Sequence, residues 1–226
     1  MKFEILEDKE LLAARATDVI AEMAAAAIEA RGSFSLAVSG GSTPKAMLEL
    51  LATRTDIVWD KVHLFQVDER IAPAGADDRN VKMLLPLLDS VELASFWPME
   101  VEAANLEDAA RSYSAKIAAV AGMPAQLDLV QLGLGSDGHT ASLVPGDPVL
   151  DVDDRDVAIT ELYQDRRRMT LTWPIIDRAR AQLWLVAGAS KQTALQQYLE
   201  ADRTIPASLI GKERATLLAD RAAVKG

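Results

Sequence analysis

Two histidines occur in this chain of 226 residues, and one stands where side chains do chemistry. His139 lies in Leu132-Gly133-Leu134-Gly135-Ser136-Asp137-Gly138-His139-Thr140, a glycine-rich turn that follows an apolar stretch. An imidazole titrates near neutral pH, which makes His139 a candidate general base. The carboxylate of Asp137 would favour the protonated ring, whereas a helix starting after the turn would favour the neutral one. The residues leave that balance open. Gly133, Gly135 and Gly138 also satisfy the dinucleotide pattern GxGxxG, but Pro145 and Pro148 interrupt the long helix such a turn requires. His63 sits inside the apolar segment Val62-His63-Leu64-Phe65 and reads as a structural side chain.

Three other clusters carry chemical potential. Ser39-Gly40-Gly41-Ser42-Thr43-Pro44 combines glycines that admit a close ligand with hydroxyl donors and a proline suited to a helix start, a setting that favours an anion such as phosphate. The same residues also suit a tight turn with a Ser/Thr cap. Asp68-Glu69-Arg70 ends the segment VHLFQVDER, where two carboxylates and a guanidinium could serve as base, orienting group and electrophile, or form a surface ion-pair cluster. Arg166, Arg167 and Arg168 precede Met169-Thr170-Leu171-Thr172. Arg168, next to the apolar run, is the one expected to point into a site, while a run of arginines otherwise reads as a solvated face. Lys191, near a helix start after Gly188-Ala189-Ser190, could hold a phosphate or be an ordinary surface lysine.

Those clusters need a scaffold, and the hydrophobic pattern supplies one. Strands are predicted over residues 3–6, 34–38, 62–67, 127–132, 157–162, 169–172 and 183–187, the last being the final strand. Helices are predicted over 11–30, with Gly32 as the stop, and over 44–51, 80–88, 106–120 and 191–199. Strand and helix alternate, which predicts an α/β fold: a three-layer sandwich with a mostly parallel, Rossmann-like sheet covered by helices on both faces, in one domain spanning residues 1–226. In such sheets ligands gather at the carboxyl ends of strands, where residues 39–44, 68–70 and 133–139 all fall.

Composition narrows the function. The net charge is −10, which opposes a nucleic-acid partner and means that an anionic ligand must be drawn by a local basic pocket. There is no cysteine, so neither a disulfide framework nor a thiolate nucleophile is available. No stretch reaches the length of a membrane span, and charges follow the first apolar residues at once, so no secretory signal is expected. The expected location is cytoplasmic. No ligand spacing for a metal is visible and the GxSxG elbow of serine hydrolases is absent. No metal or organic cofactor is therefore expected, and activity should survive exhaustive chelation; loss on chelation, restored by one divalent ion, would refute that.

The segments SGGSTP, VDER, LGLGSDGHTASLVPG, RMTLT and GASKQTAL occur in an order that resembles the 6-phosphogluconolactonase family, from about Phe34 to Ile210. The related glucosamine-6-phosphate deaminases share the fold and the Asp-Gly-His turn, but here the turn continues Thr140-Ala141-Ser142-Leu143-Val144-Pro145-Gly146, as in the lactonases, and the glutamate that assists the deaminase histidine has no match. The resemblance implies hydrolysis of 6-phospho-D-glucono-1,5-lactone in the oxidative pentose phosphate pathway, with a small phosphorylated lactone as the only partner and a monomer or weak homodimer as the working unit. It implies His139 as base, Arg70, Asp137 and Asp68 as further site residues, and Gly40, Gly41, Ser42, Thr43, Gly135, Arg168 and Lys191 around the substrate and its phosphate. Arg79-Asn80 stands where the family often has Ser-Asn. Two alternatives stay open: a deaminase/isomerase in which Asp68 moves a proton at C2, and a sugar-phosphate sensor without catalysis.

Overall fold

The computed structural model describes residues 1–224. Its main sheet has seven strands: β1 (Lys2–Leu6), β2 (Phe34–Val38), β3 (Val62–Gln66), β5 (Ser95–Phe96), β6 (Leu129–Gly133), β9 (Gln182–Val186) and β10 (Ala215–Asp220). They run in the order β1-β10-β9-β6-β2-β3-β5, and every neighbouring pair is parallel. Parallel strands covered on both faces read as continuous apolar runs, and β2, β9 and β10 are buried at every position.

Successive residues of each strand point to opposite faces, and the two cores divide accordingly. Leu36, Leu64, Leu129, Leu183 and Leu218 face α1 (Lys9–Arg31), α2 (Ser42–Leu51) and α3 (Val81–Leu88). Ala37, Phe65, Val130, Trp184 and Leu217 face α4 (Leu106–Ala121), α5 (Trp173–Asp177) and α6 (Gln192–Leu199). The three layers expected from the sequence are present. Helix α1 shows how locally the chain sets its elements. The Asp8 side chain accepts from the Leu11 amide at 2.8 Å to start it, and Gly32, at φ 82°, ends it where the stop was expected.

The structure corrects the expected strands in two places. The strand at Gln182–Val186 is not the last, because β10 inserts between it and β1. The short apolar run 216–219 is flanked by charge and shows no helix or strand period, so only its neighbours identify it. Residues Asp68–Arg70 are likewise not the end of a strand of the main sheet. They form β4, which pairs antiparallel with β8 (Arg168–Leu171), and β8 pairs with β7 (Val157–Ile159) in a separate three-stranded sheet. Val67 is the transfer point: its amide donates to the Val38 carbonyl of the main sheet at 2.9 Å, and its own carbonyl accepts from Leu171 at 2.8 Å.

From β2 the chain winds outward through β3 to β5, then crosses back to β6 on the other side of β2 and continues to β9 and β10. The direction of winding reverses between β2 and β6. In open α/β sheets the loops leaving such neighbours diverge and open a crevice at their carboxyl ends. No helix among the described residues is long and apolar enough to cross a membrane.

Candidate active site

The crevice at that switch point is lined from one side by Ser39, Gly40, Gly41, Ser42 and Thr43, which leave β2, and from the other by Gly133, Leu134, Gly135 and His139, which leave β6. The small sheet contributes Asp68, Arg70 and Arg168, and the turn after β9 contributes Lys191. Every residue expected in the site from the sequence lines this one cleft except Asp137, which touches the histidine that does.

After β6 the chain doubles back sharply. The Gly135 amide donates to the His139 carbonyl at 2.8 Å, and the Gly138 amide donates to the Gly135 carbonyl at 3.1 Å. This folding leaves no room for a side chain at position 135, where a Cβ would run into His139 Nδ1 and Asp137 Oδ1. Asp137 Oδ1 lies 2.6 Å from His139 Nδ1. A carboxylate acceptor makes Nδ1 the protonated nitrogen, and Nε2 keeps its lone pair for another partner. Burial works to raise the Asp137 carboxyl, but its interaction with the His139 ring, a hydrogen bond from the His139 amide and one from Tyr163 hold it below the ordinary aspartate range. No helix follows His139; the chain enters a turn bridged by Thr140 and Leu143. The helix influence considered from the sequence is therefore absent, and Asp137 is the group that acts on the ring.

The opposite wall presents the start of helix α2. Helix α2 opens at Ser42, two residues before the expected proline, so Ser42 and Thr43 belong to its first turn rather than to a loop. Its cap residue, Gly41, supplies no side-chain hydrogen bond, which leaves the first-turn amides without that partner. Gly40 is required for close approach, because a Cβ there would overlap the Asn80 side chain.

Cations complete the cleft. Arg70 and Arg168 are direct cross-strand partners in β4 and β8, an arrangement of like charges that costs stability. Arg168 is only 5% exposed and has no carboxylate ion pair among the described residues. Among the described residues, the buried Nε atoms of both arginines have no hydrogen-bond partner. Burial pulls the Arg168 guanidinium below its usual range, opposed by Asp68 and reinforced by Arg70. Burial likewise lowers the Lys191 ammonium, opposed by Asp137. Two unpaired buried donors beside a third cation form a site whose electrostatic cost a bound anion would offset. Lys191 is the last residue of the turn Ala189–Lys191 and caps α6 rather than lying inside the helix.

Asp68 is buried and tied on both oxygens: it accepts from Ser142 Oγ at 2.6 Å and from Asn80 Nδ2 at 3.2 Å. Glu69 is wholly buried and plays a framework part. It accepts from the Asn80 amide at 2.7 Å, the Arg70 amide at 2.8 Å, the Val81 amide at 2.9 Å and Gln66 Nε2 at 2.9 Å, and it pairs with Arg79 at 3.3 Å. Arg79 thus serves Glu69 and is not among the residues that line the cleft. Glu69→Ala is expected to destabilise the fold by about 3–5 kcal/mol, since it strands the buried Arg79 guanidinium and several amides. Urea unfolding measures this, and an unchanged midpoint would contradict the assignment.

Sequence reasoning missed two contributors. Ser142 was read only as part of a motif, and its contact with Asp68 joins positions far apart in the chain. Tyr163, in a polar loop without pattern, donates its hydroxyl to Asp137 Oδ2 at 2.9 Å. His63 is placed as expected, bonded to Ser95 Oγ at 2.7 Å and stacked parallel to Trp97, away from the cleft. Among the described residues, no group of three or more His, Asp or Glu side chains is arranged to hold a metal ion.

The fold and site define a parallel α/β protein with a carboxylate-supported imidazole and a group of cations lining its switch-point crevice. The comparisons narrow this class. A sequence model described as Glucosamine-6-phosphate isomerases/6-phosphogluconolactonase matches residues 7–219. A 6-phosphogluconolactonase of Synechocystis sp. is 41% identical over 199 residues, covering 85% of this chain and 82% of the relative. The crystal structure of a 6-phosphogluconolactonase from Shewanella baltica superposes with a TM-score of 0.86 at 26% identity, covering 97% of each chain. A monomeric glucosamine-6-phosphate deaminase also superposes, with a TM-score of 0.84 at 19% identity, over 99% of this chain and 98% of that one, which shows the shared fold alone. The chain belongs to the glucosamine-6-phosphate isomerase/6-phosphogluconolactonase family.

Proposed function

We propose that this chain hydrolyses 6-phospho-D-glucono-1,5-lactone to 6-phosphogluconate, a step of the oxidative pentose phosphate pathway, as a single α/β unit acting in the cytoplasm as a monomer or weak homodimer. The observation that carries the reading is the juxtaposition in one cleft of His139, whose Nε2 is left over by the Asp137 contact, with Arg70 and Arg168, which have no carboxylate ion pair among the described residues. A lactone is an activated ester, so one base and oxyanion stabilisation suffice. His139 Nε2 takes a proton from water as the water oxygen bonds to C1. The tetrahedral oxyanion is met by Arg70 or by an amide of the glycine-rich turn other than that of Gly135, which is bonded to the His139 carbonyl. Collapse of the intermediate breaks the bond between C1 and the ring oxygen, and His139 returns its proton to that oxygen. Asp137 holds the ring and stabilises its charged form between the two transfers. The α2 amides, Arg168 and Lys191 take the phosphate. Asp68, held by Ser142 and Asn80, orients sugar hydroxyls.

The decisive experiment uses freshly prepared 6-phosphogluconolactone and follows acid release against the spontaneous background, with glucosamine 6-phosphate and ammonia detection in parallel. Acid release well above background without ammonia is expected. Ammonia without acid release would replace the reading with the deaminase, and neither product would leave a binding protein.

A further inference from the structure

Strands β7 and β8 are joined by a hairpin whose tip touches His139 and Arg168, two residues that line the cleft. The tip closes on two hydrogen bonds between Tyr163 and Arg166, at 3.0 and 3.2 Å. Its central residues, Gln164 and Asp165, have φ of 50° and 62°. Two-residue turns of this kind call for positive φ at both central positions, where Asn and Gly are favoured and a glutamine is strained. Such strain persists where the surroundings over-determine the conformation. Packing does not do so here: Leu162 is 69% exposed, and Tyr163 belongs to neither hydrophobic core among the described residues.

Polar contacts anchor the tip instead: Arg166 Nε donates to Asp78 Oδ2 at 2.9 Å, Arg168 Nη2 donates to Gln164 Oε1 at 3.2 Å, and Tyr163 reaches the site. The Tyr163 hydroxyl donates to Asp137 Oδ2 at 2.9 Å, the oxygen that His139 leaves free. Its ring meets the His139 ring edge-on, with centroids 5.7 Å apart. The Arg168 guanidinium carbon lies 4.9 Å from the centre of the same ring. Burial, with help from Asp137, raises the phenol above its ordinary range, so it remains a donor at neutral pH.

We propose that Tyr163 is the positioning residue that couples the two halves of the site, its hydroxyl fixing the Asp137–His139 pair and its ring face holding Arg168 against the cleft. The inference rests on the lactonase reading and adds to it a division of labour within one side chain. The hydroxyl acts on the proton-transfer step and the ring acts on phosphate binding. Each can be removed separately.

In the full-length protein, Tyr163→Phe should lower kcat for 6-phosphogluconolactone about 3–10-fold, the range of one net hydrogen bond, with KM little changed. Tyr163→Leu should show the same fall in kcat and an added rise of about 2–5-fold in KM, the range of a cation–π contact. That rise should be missing for unphosphorylated gluconolactone. On an Asp137→Asn background, Tyr163→Phe should have no further effect on kcat, a dependence that loss of general stability would not produce. Wild-type kcat in Tyr163→Phe, or independent effects of Tyr163→Phe and Asp137→Asn, would overturn the coupling to the base. If the wild-type protein proves inactive on the lactone, the functional reading falls. The Arg168 half is then decided by titration with inorganic phosphate. Tyr163→Leu must weaken its binding about 2–5-fold and Tyr163→Phe must not; equal affinity in all three proteins would overturn it.

Discussion

Replacing His139 with alanine is expected to lower kcat by roughly 10²–10⁴-fold, the usual consequence of losing a general base, while KM changes little. The expectation rests on geometry. Nδ1 is committed to Asp137 at 2.6 Å, and the ring lines the cleft, so Nε2 is the nitrogen available to a water molecule on the substrate. The substitution should leave the fold intact. His139 is a partly buried turn residue outside both cores, and Asp137 keeps its hydrogen bond from Tyr163 after the ring is gone. His139→Asn, which keeps polarity but cannot titrate, should be equally impaired. Since the lactone opens spontaneously, rates must be taken as the excess over the uncatalysed reaction. A folded His139→Ala protein with near-normal kcat would remove His139 from the mechanism and direct attention to Asp68.

The second large effect belongs to Arg168. A charge-assisted hydrogen bond contributes about 1.5–3 kcal/mol, so Arg168→Ala should weaken apparent affinity for the phosphorylated lactone roughly 10–150-fold. Unphosphorylated gluconolactone should be affected far less. Stability should move the other way or not at all. Arg168 is buried opposite Arg70 with no carboxylate partner, and its removal relieves a cross-strand repulsion. The variant should therefore unfold at a temperature no lower than the wild type, an exchange of stability for function typical of binding sites. Arg167→Ala is the appropriate charge control, because Arg167 is exposed and donates only to the Thr160 carbonyl. Arg166 is less suitable. It bonds Asp78 at 2.9 Å, and the carbonyl of Asp78 in turn receives Arg70. Equal losses for both lactones, or equal behaviour of Arg168→Ala and Arg167→Ala, would return the arginine run to a solvated face.

Both results would bear on residues whose meaning was unevenly visible beforehand. By itself the sequence determined the layers, because apolar periodicity and glycine or proline punctuation are local properties: α1 ends at Gly32, and β2 is apolar at every position except Ser35. It also determined the candidate base, because His139 stands in a glycine-rich turn whose tight geometry is a local demand of the chain. Only the tertiary structure decided what those residues meet. It set Arg70 opposite Arg168 by pairing Asp68–Arg70 with the strands expected near 157–162 and 169–172 in a second, antiparallel sheet, and it tied Asp68 to Ser142 across a separation of 74 residues. It also brought Tyr163 from an exposed hairpin onto Asp137, and inserted β10 between β1 and β9. Such pairings are decided by which distant backbone and side-chain groups satisfy one another once the sheet has assembled, and period and propensity carry no record of a partner that far along the chain.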